Sequence, residues 1–278
     1  MPNIRHLYYE ETGAGRPVIL IHCPAVSHLL WRPVMTRLRT VCRPIAIDLR
    51  GHGQSGLGDS PWTFADIAAD LAMLVHRLDL QQPPLLVGYS SGGPICLQAA
   101  LDNPDLYAGL ALIGSFSECT TLHLRSKVSM GMVAVRMGLT PLVGRAVVAT
   151  NHATPEHAGA MRPEAQATRP QALLSYLHET MRASYTARLG AIKQPVLLVY
   201  GTGDDLMHPY YKKLREGLPS ARAAFVPGCG HHVPTKHPHG LADLLAEFLG
   251  ELEPPERRPL LPTFRHPGVD LHPLDGHP

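Results

Sequence analysis

The sequence predicts an α/β fold in which a doubly wound, mostly parallel sheet carries a helical cap insertion. Short apolar runs of the kind buried in parallel sheets recur along the chain. They alternate with segments whose apolar residues follow helical spacing. One long segment of helical pattern interrupts this alternation. A chain of 278 residues has the length of one large domain with an insertion.

The first part of the chain alternates strand, helix and strand. Residues 17–22 read Pro-Val-Ile-Leu-Ile-His and predict a buried strand. Residues 27–40 carry apolar side chains at helical spacing and predict a helix. Residues 43–48 predict a second strand, and residues 50–56 form a turn rich in glycine.

The middle of the core continues the pattern. Thr63, with Asp66 three residues later, predicts the capped start of a helix that runs towards Leu80. Asp at this position is a weaker partner in a capping box than Glu or Gln. Residues 84–88 predict a third strand, and residues 92–101 predict the helix that follows it.

Three later apolar runs complete the predicted sheet. Residues 110–114 and 195–200 are apolar throughout, as expected for strands covered by helices on both faces. Residues 223–226 predict a short late strand, and residues 241–252 predict the final helix.

The segment between the strands at 110–114 and 195–200 has no comparable apolar run and is mainly helical in pattern. We therefore predict a core domain of residues 1–114 and 194–252, and a helical cap of residues 115–193. The Pro- and His-rich tail, residues 253–278, is predicted to have no stable fold of its own. Apolar residues in the first half of the cap are interpreted as its underside, packed on the core, or as a pocket lining. They are Met130, Met132, Val133, Met137, Val147 and Val148.

Charge and composition exclude several classes of function. The 25 Lys and Arg balance 23 Asp and Glu for a net charge of +2, and no basic run interleaved with aromatics indicates a nucleic-acid groove. The N-terminus lacks the apolar stretch of a signal peptide, and the apolar segment 130–150 is interrupted by Arg136 and Arg145. Five cysteines at irregular spacing fit a reducing compartment. We expect a cytoplasmic protein with a small-molecule substrate and neither nucleic-acid nor membrane partner, while the oligomeric state is not predicted.

The motif Gly88-Tyr89-Ser90-Ser91-Gly92 matches G-x-S-x-G directly after a predicted strand and directly before a predicted helix. A serine on such a turn is held in a strained conformation above the sheet edge, and the flanking glycines avoid collisions where the turn tightens. Ser90 is therefore the candidate nucleophile. The backbone N–H of Ser91, at the positive end of the helix, is a candidate oxyanion donor.

A serine nucleophile needs a histidine base and a carboxylate that orients it. His231 follows the late strand and is the candidate base, with the adjacent His232 as the alternative. Asp204 follows the strand that ends near residue 200 and is the candidate acid. Spacing alone leaves open an exchange of roles between Asp204 and Asp205.

These motifs resemble the α/β-hydrolase superfamily, in the capped branch that contains esterases, lactonases, haloperoxidase-like enzymes and C–C hydrolases. The resemblance extends to about residue 250 and includes the Asp48-Leu-Arg-Gly-His-Gly-Gln-Ser-Gly56 turn, G-x-x-D ending in Asp204 and G-x-G-H ending in His231. It implies an acyl-enzyme on Ser90, because relatives that react through a carboxylate ester carry aspartate at that position.

The loop opposite the nucleophile departs from the superfamily pattern. Relatives carry H-G-x-P, whereas this chain has His22-Cys23-Pro24-Ala25. Pro24 stands where the second oxyanion donor usually lies, and proline has no backbone N–H. Ala25 is then the candidate donor, unless a side chain such as Ser27 or Tyr89 replaces it or the hole has a single donor. Cys23 is interpreted as inert packing rather than a reactive thiol.

The histidine-rich loop also permits a metal interpretation, through Cys229, His231, His232, His237 and His239. We expect no metal and no cofactor, because the triad already accounts for His231 and no second ligand pair is apparent. The sequence therefore predicts a serine hydrolase that cleaves a carboxylic ester, lactone or thioester of a mostly apolar small molecule. Lyase, cyclase or C–C bond chemistry on the same fold, and a ligand-binding receptor with negligible turnover, remain as alternatives.

Overall fold

One sheet organises residues 7–252, the part of the chain that the computed structural model describes. Its strands are β1 Tyr9–Glu11, β2 Pro17–Ile21, β3 Arg43–Ile47, β4 Leu85–Tyr89, β5 Gly109–Ile113, β6 Val196–Gly201 and β7 Arg222–Val226. Their order across the sheet is β1-β3-β2-β4-β5-β6-β7. The pairing is parallel except that β1 runs antiparallel to β3. The predicted α/β fold and all six predicted strands are confirmed within one or two residues, and β1 is an additional strand.

Helices fill the connections between the strands. They are α1 Arg32–Leu38, α2 Phe64–Arg77, α3 Gly92–Asp102, α4 Leu122–Arg136, α5 Thr140–Thr150, α6 Pro155–Gln166, α7 Pro170–Arg182, α8 His208–Gly217, α9 Val233–Lys236 and α10 Pro238–Glu251. The capping box predicted at Thr63 and Asp66 is present. The predicted helix at 27–40 starts with a 3-10 turn, His28–Trp31, which the Ser27 hydroxyl caps by accepting the backbone N–H of Leu29. The final helix begins earlier than predicted, since Pro238 suits the first helical position.

The sheet separates two apolar cores, as a parallel sheet covered on both faces requires. Ile19 and Ile21 of β2 face one core, to which α2 and α3 contribute. Val18 and Leu20 of the same strand face the other, to which α1 and α10 contribute. This alternation along β2 explains why the strands read as continuous apolar runs.

Four helices, α4 to α7, lie between β5 and β6. They touch the core through hydrogen bonds at separate points. The Tyr176 hydroxyl donates to the carbonyl oxygen of His22 at 2.8 Å, and the Lys236 ammonium donates to that of His152 at 2.8 Å. The helical character predicted for residues 115–193 is thus present, while their treatment as a separate cap domain stays a prediction.

The interpretation of the Met- and Val-rich residues as a packed underside is wrong for half of them. Val148 is buried, but Met130, Val133 and Met137 are exposed. The reason is that α4 packs through a different stripe, composed of Leu124, Val128 and Val135.

No helix within residues 7–252 is long and apolar enough to cross a lipid bilayer. The predicted tail, residues 253–278, lies outside the described residues.

A buried ionic network joins the start of the 3-10 turn to the end of β3. The Asp48 carboxylate lies 2.9 Å from His28 Nδ1 and accepts the backbone N–H groups of His28 and Gln54. Two more carboxylates lie near the same ring: Glu10 Oε1 is 3.1 Å from His28 Nε2, and Glu164 Oε2 is 3.9 Å from His28 Nδ1. Although burial opposes the charge, the hydrogen bond to Asp48 raises the pKa of His28 above its ordinary value. Burial likewise opposes the charge on Asp48, but its bonds to His28 lower its pKa overall.

We expect Asp48→Asn to lower the free energy of unfolding by about 2 kcal/mol near pH 6, because a buried imidazolium loses its charged hydrogen-bond acceptor and keeps only Glu10 and Glu164 as neighbouring carboxylates. The raised pKa of His28 stabilises the fold at pH values below its unfolded pKa, and this contribution disappears as pH rises through the folded pKa. The lowered pKa of Asp48 stabilises the fold above its own unfolded value. Denaturant titrations of both proteins at pH 6 and pH 9 should therefore show the larger difference at pH 6. Equal losses at both pH values would contradict a charged pair.

Candidate active site

The turn between β4 and α3 holds Ser90 in a left-handed backbone conformation, with φ of 55°. This conformation is strained for a residue with a side chain. The turn is too tight for side chains on either side of the serine. A Cβ at Gly88 would lie 2.6 Å from the carbonyl oxygen of Gly92, and a Cβ at Gly92 would lie 2.8 Å from that of Ile21. The glycines therefore permit the strained turn that the motif predicts.

Neighbouring strands fix this turn by hydrogen bonds. The backbone N–H of Ser90 donates to the carbonyl oxygen of Ile113 at 2.8 Å. The Ser115 hydroxyl donates to the carbonyl oxygen of Ser90 at 2.8 Å. Ser115 follows β5 and was not among the predicted site residues, although its position just past a strand end was a possible signal. Both bonds tie the serine to β5, next to β4 in the sheet.

The structure brings Ser90, His231 and Asp204 together. His231 Nε2 lies 3.0 Å from Ser90 Oγ, and His231 Nδ1 lies 2.8 Å from Asp204 Oδ2. Because a carboxylate only accepts hydrogen bonds, Nδ1 donates to Asp204. In the neutral ring this leaves Nε2 as the acceptor for the serine hydroxyl. The arrangement suits proton transfer from Ser90 to His231.

Burial distinguishes the two adjacent aspartates. Asp204 is only 3% exposed, whereas Asp205 is an exposed residue. The backbone N–H of Gly203 donates to the carbonyl oxygen of Cys229 at 2.9 Å, which ties the Asp204 loop to the His231 loop. Of the two aspartates, only Asp204 is hydrogen-bonded to His231.

His232 lies beside His231 but away from the serine. The two rings are 5.8 Å apart and nearly perpendicular. Burial, the neighbouring His231 and the cation of Lys127 lower the pKa of His232 to about 4. His232 is therefore neutral at physiological pH, and among the described contacts it makes no hydrogen bond to Ser90.

Tyr89 packs against the candidate base from the nucleophile turn. Its ring lies 5.3 Å from the His231 ring, with 34° between their planes. Its hydroxyl donates to Asn151 Oδ1 at 2.9 Å, at the end of α5. Asn151 is thus a site residue that the sequence offered no signal to find, since it lies in the segment without a readable motif. The contact links the helical insertion to the turn that carries Ser90.

The loop opposite Ser90 carries a strained residue at Ala25, with φ of 60°. Within the described part of the chain, the backbone N–H groups of Ala25 and Ser91 donate no hydrogen bond. Of the side-chain substitutes considered from the sequence, Tyr89 donates its single hydroxyl proton to Asn151. The Ser27 hydroxyl oxygen accepts the backbone N–H of Leu29, which leaves its own proton available. The candidate donors left in this loop are the backbone N–H of Ala25 and the Ser27 hydroxyl.

Three side chains that could together ligate a metal ion lie at a place that the sequence did not suggest. Among the described residues, ligand atoms of His28, Asp48 and Glu164 lie within 4.8 Å of one another. In this cluster His28 and Asp48 are already hydrogen-bonded to each other, so an ion pair accounts for their proximity.

Cys23 and the other four cysteines are free and buried. Burial raises the pKa of Cys23 to about 12, which keeps it a thiol.

A surface cleft of about 700 Å³ lies between the glycine-rich turn and the loop before α7. Gly51, Gly53 and Arg169 are among the residues that line it. None of Ser90, Asp204 and His231 borders this cleft, so it is separate from the site described above.

Comparison with known proteins places the chain among homologues of similar length. Residues 18–244 match the model of the alpha/beta hydrolase family. The chain is 27% identical over 261 residues to a pimeloyl-[acyl-carrier protein] methyl ester esterase of Edwardsiella ictaluri, covering 87% of this chain and 96% of that protein. It is also 27% identical over 262 residues to a 2-hydroxy-6-oxo-6-(2'-aminophenyl)hexa-2,4-dienoic acid hydrolase of Metapseudomonas resinovorans, covering 87% and 86%.

Solved structures show the same fold. A thermophilic esterase from Thermogutta terrifontis superposes with a TM-score of 0.78 at 24% identity, covering 89% of this chain and 94% of that one.

Proposed function

The chain belongs to the alpha/beta hydrolase family, and from that premise we propose that it cleaves a carboxylic ester, lactone or thioester through a Ser90–His231–Asp204 triad. The observation that carries this proposal is the continuous chain of hydrogen bonds, 3.0 Å from Ser90 to His231 and 2.8 Å from His231 to Asp204. The distances lie within the reach required of a nucleophile, its base and an orienting acid. Hydrolases among the relatives of similar length support the reaction class.

In the proposed mechanism Ser90 Oγ attacks the substrate carbonyl carbon while its proton passes to His231 Nε2. His231 then gives that proton to the leaving alcohol or thiol as the acyl-enzyme forms. Water then attacks the acyl-enzyme as His231 takes its proton. His231 returns that proton to Ser90 Oγ as the bond from this oxygen to the acyl carbon breaks and the acid is released. Asp204 keeps the ring in the required tautomer and stabilises the imidazolium.

The oxyanion that forms during each attack needs hydrogen-bond donors. We assign this role to the N–H of Ser91, at the N-terminus of α3, and to the N–H of Ala25 in place of Pro24. The left-handed conformation of Ala25 supports a shifted loop, because a family-like path would present the imide nitrogen of Pro24.

We infer the substrate class from the helical insertion, most of whose buried side chains are apolar. Leu124, Val128, Val135 and Leu173 pack into one core cluster with the strands beneath. The insertion also buries a few polar side chains, which are Thr140, Asn151, Thr168, Ser175 and Thr180. This composition favours a mostly apolar small molecule over a polar or charged one.

A fluorophosphonate probe tests the nucleophile, and a panel of esters, lactones and thioesters of increasing acyl length tests the reaction. We expect one adduct per chain, mapped to Ser90 by mass spectrometry, and turnover that is lost in Ser90→Ala. If no adduct formed and Ser90→Ala kept full activity, the acyl-enzyme mechanism would be wrong.

The remaining outcomes identify other functions of the same fold. Activity that survives Ser90→Ala but not His231→Ala would indicate acid–base chemistry, such as lyase or cyclase activity, without an acyl-enzyme. Saturable ligand binding by a chain that turns over none of the panel would indicate a binding protein.

We expect Asn151→Ala to reduce kcat by about tenfold while KM changes little, because Tyr89 would lose the acceptor that fixes its ring against His231. Tyr89→Phe keeps the ring and removes the same bond, so it should reproduce the effect. Comparing the pH dependence of kcat in the two variants provides a second readout of the contact between Tyr89 and His231. Gln166→Ala, which removes an exposed amide from another helix of the insertion, is the matched control. A loss in Asn151→Ala that Tyr89→Phe does not share would contradict this role.

A further inference from the structure

Exposed apolar side chains are concentrated on one part of the helical insertion. Eight large apolar side chains of residues 7–252 are more than a third exposed, and six of them lie between positions 122 and 142. Leu122, Met130 and Met137 are 81%, 66% and 69% exposed. We call this surface the cap face; its apolar residues are Leu122, Met130, Val133, Met137, Leu139 and Leu142.

Helix α4 is apolar on two opposite sides. Its buried stripe packs into the core cluster, while Met130, Val133 and Met137 recur at helical spacing on the side turned to solvent. A helix that is apolar on opposite sides normally has partners on both. The solvent side of α4 has none within the described chain, so its composition requires another explanation.

The stretch of chain that carries the cap face has charges of a single sign. Residues 119–155 contain no aspartate or glutamate. Arg125, Lys127, Arg136 and Arg145 lie in the same stretch and are all exposed. Aliphatic side chains flanked by lysine and arginine match a lipid surface with anionic headgroups, which accepts the apolar groups and attracts the cations.

The same features disfavour a second copy of this chain as the partner of the cap face. Two copies that met through their cap faces would bring four like charges on each side together. The six apolar residues of the cap face also include no tryptophan or tyrosine, the side chains that dominate protein–protein binding energy.

The helices that carry the cap face also reach residues next to the active site. Lys127, on α4, is near enough to His232 for its charge to act on that ring, next to the base. Helix α5 ends at Thr150, and the next residue, Asn151, holds Tyr89 against His231. A surface bound at the cap face would therefore lie close to the segments that border the site.

We propose that the cap face docks peripherally on anionic lipid surfaces, with Met130, Val133 and Met137 inserted among the headgroups and Lys127 and Arg145 paired with lipid phosphates. Such docking would let apolar substrates reach the site from the lipid. Peripheral docking differs from the sequence-based expectation of no membrane partner. That expectation concerned membrane-spanning segments and signal peptides. The docking itself does not depend on the reaction proposed above.

Flotation of the full chain with vesicles tests the proposal. We expect binding to vesicles containing phosphatidylglycerol, weak binding to pure phosphatidylcholine, and a decrease as salt concentration rises. Met130→Gln combined with Met137→Gln should reduce binding by about tenfold or more, since two inserted side chains are lost. Lys127→Gln combined with Arg145→Gln should reduce it by about fivefold for each charge.

Matched controls separate this surface from the rest of the molecule. Met73→Gln replaces an exposed methionine on α2, and Arg39→Gln combined with Lys193→Gln removes two exposed charges elsewhere. These variants should bind vesicles like the unchanged chain. The Met130, Met137 double variant should keep its melting temperature and its rate on a water-soluble short ester, so a loss of vesicle binding alone is the expected result.

Three results would overturn the proposal. The first is equal binding to both vesicle types, and the second is binding that the cap-face variants leave unchanged. The third is a dimer in sedimentation velocity that the Met130, Met137 double variant dissociates, without vesicle binding by the unchanged chain; the cap face would then be an interface between copies. Failure of the ester reaction would affect neither measurement.

Discussion

Replacing Ser90 by alanine is expected to lower kcat on a cleaved ester by about 10⁴- to 10⁶-fold, the largest effect predicted for any substitution in this chain. The hydroxyl that forms the acyl-enzyme would be absent, while the oxyanion donors and the binding surface would remain. The residual rate should therefore stay above that of the uncatalysed reaction. Steady-state kinetics on the best substrate of the panel, together with the melting temperature, provide the measurement.

The adjacent serine supplies the control for this prediction. Ser91→Ala keeps the backbone N–H assigned to the oxyanion and removes only a hydroxyl that makes no hydrogen bond among the described contacts. It should retain kcat within a few-fold. A comparable loss in both variants would indicate damage to the turn and not removal of the nucleophile, and it would contradict the assignment of Ser90.

Much of the core fold follows from local sequence signals. The capped start of α2 could be predicted because Thr63 and Asp66 interact within one turn of helix. The strand β1 could not, because its three residues are polar or half exposed and pair only at the sheet edge, with β3. Its existence depends on a partner more than thirty residues away, which a local pattern does not contain.

The site shows the same division between local and distant information. The motif around Ser90 is local, and Asp204 and His231 were identified because each follows a predicted strand at the same edge of the sheet. Asn151 was not identified, because only the path of the insertion brings it to Tyr89. The conformation of Ala25 also required the structure, since its positive φ depends on how the whole loop packs.

Asp204→Asn is expected to reduce kcat by about 10⁴-fold, because an amide can donate a hydrogen bond to Nδ1 and so favour the tautomer that carries its proton on Nε2. That tautomer cannot accept the proton of Ser90, although the side chain has nearly the same shape. Asp205→Asn is the matched control: Asp205 is exposed and adjacent in sequence, so its activity should be unchanged. The reverse result, with activity lost in Asp205→Asn and kept in Asp204→Asn, would assign the acid to Asp205. Both variants lose one negative charge from the same loop. A difference between them would therefore reflect the two features that distinguish these neighbours, which are the hydrogen bond to His231 and burial.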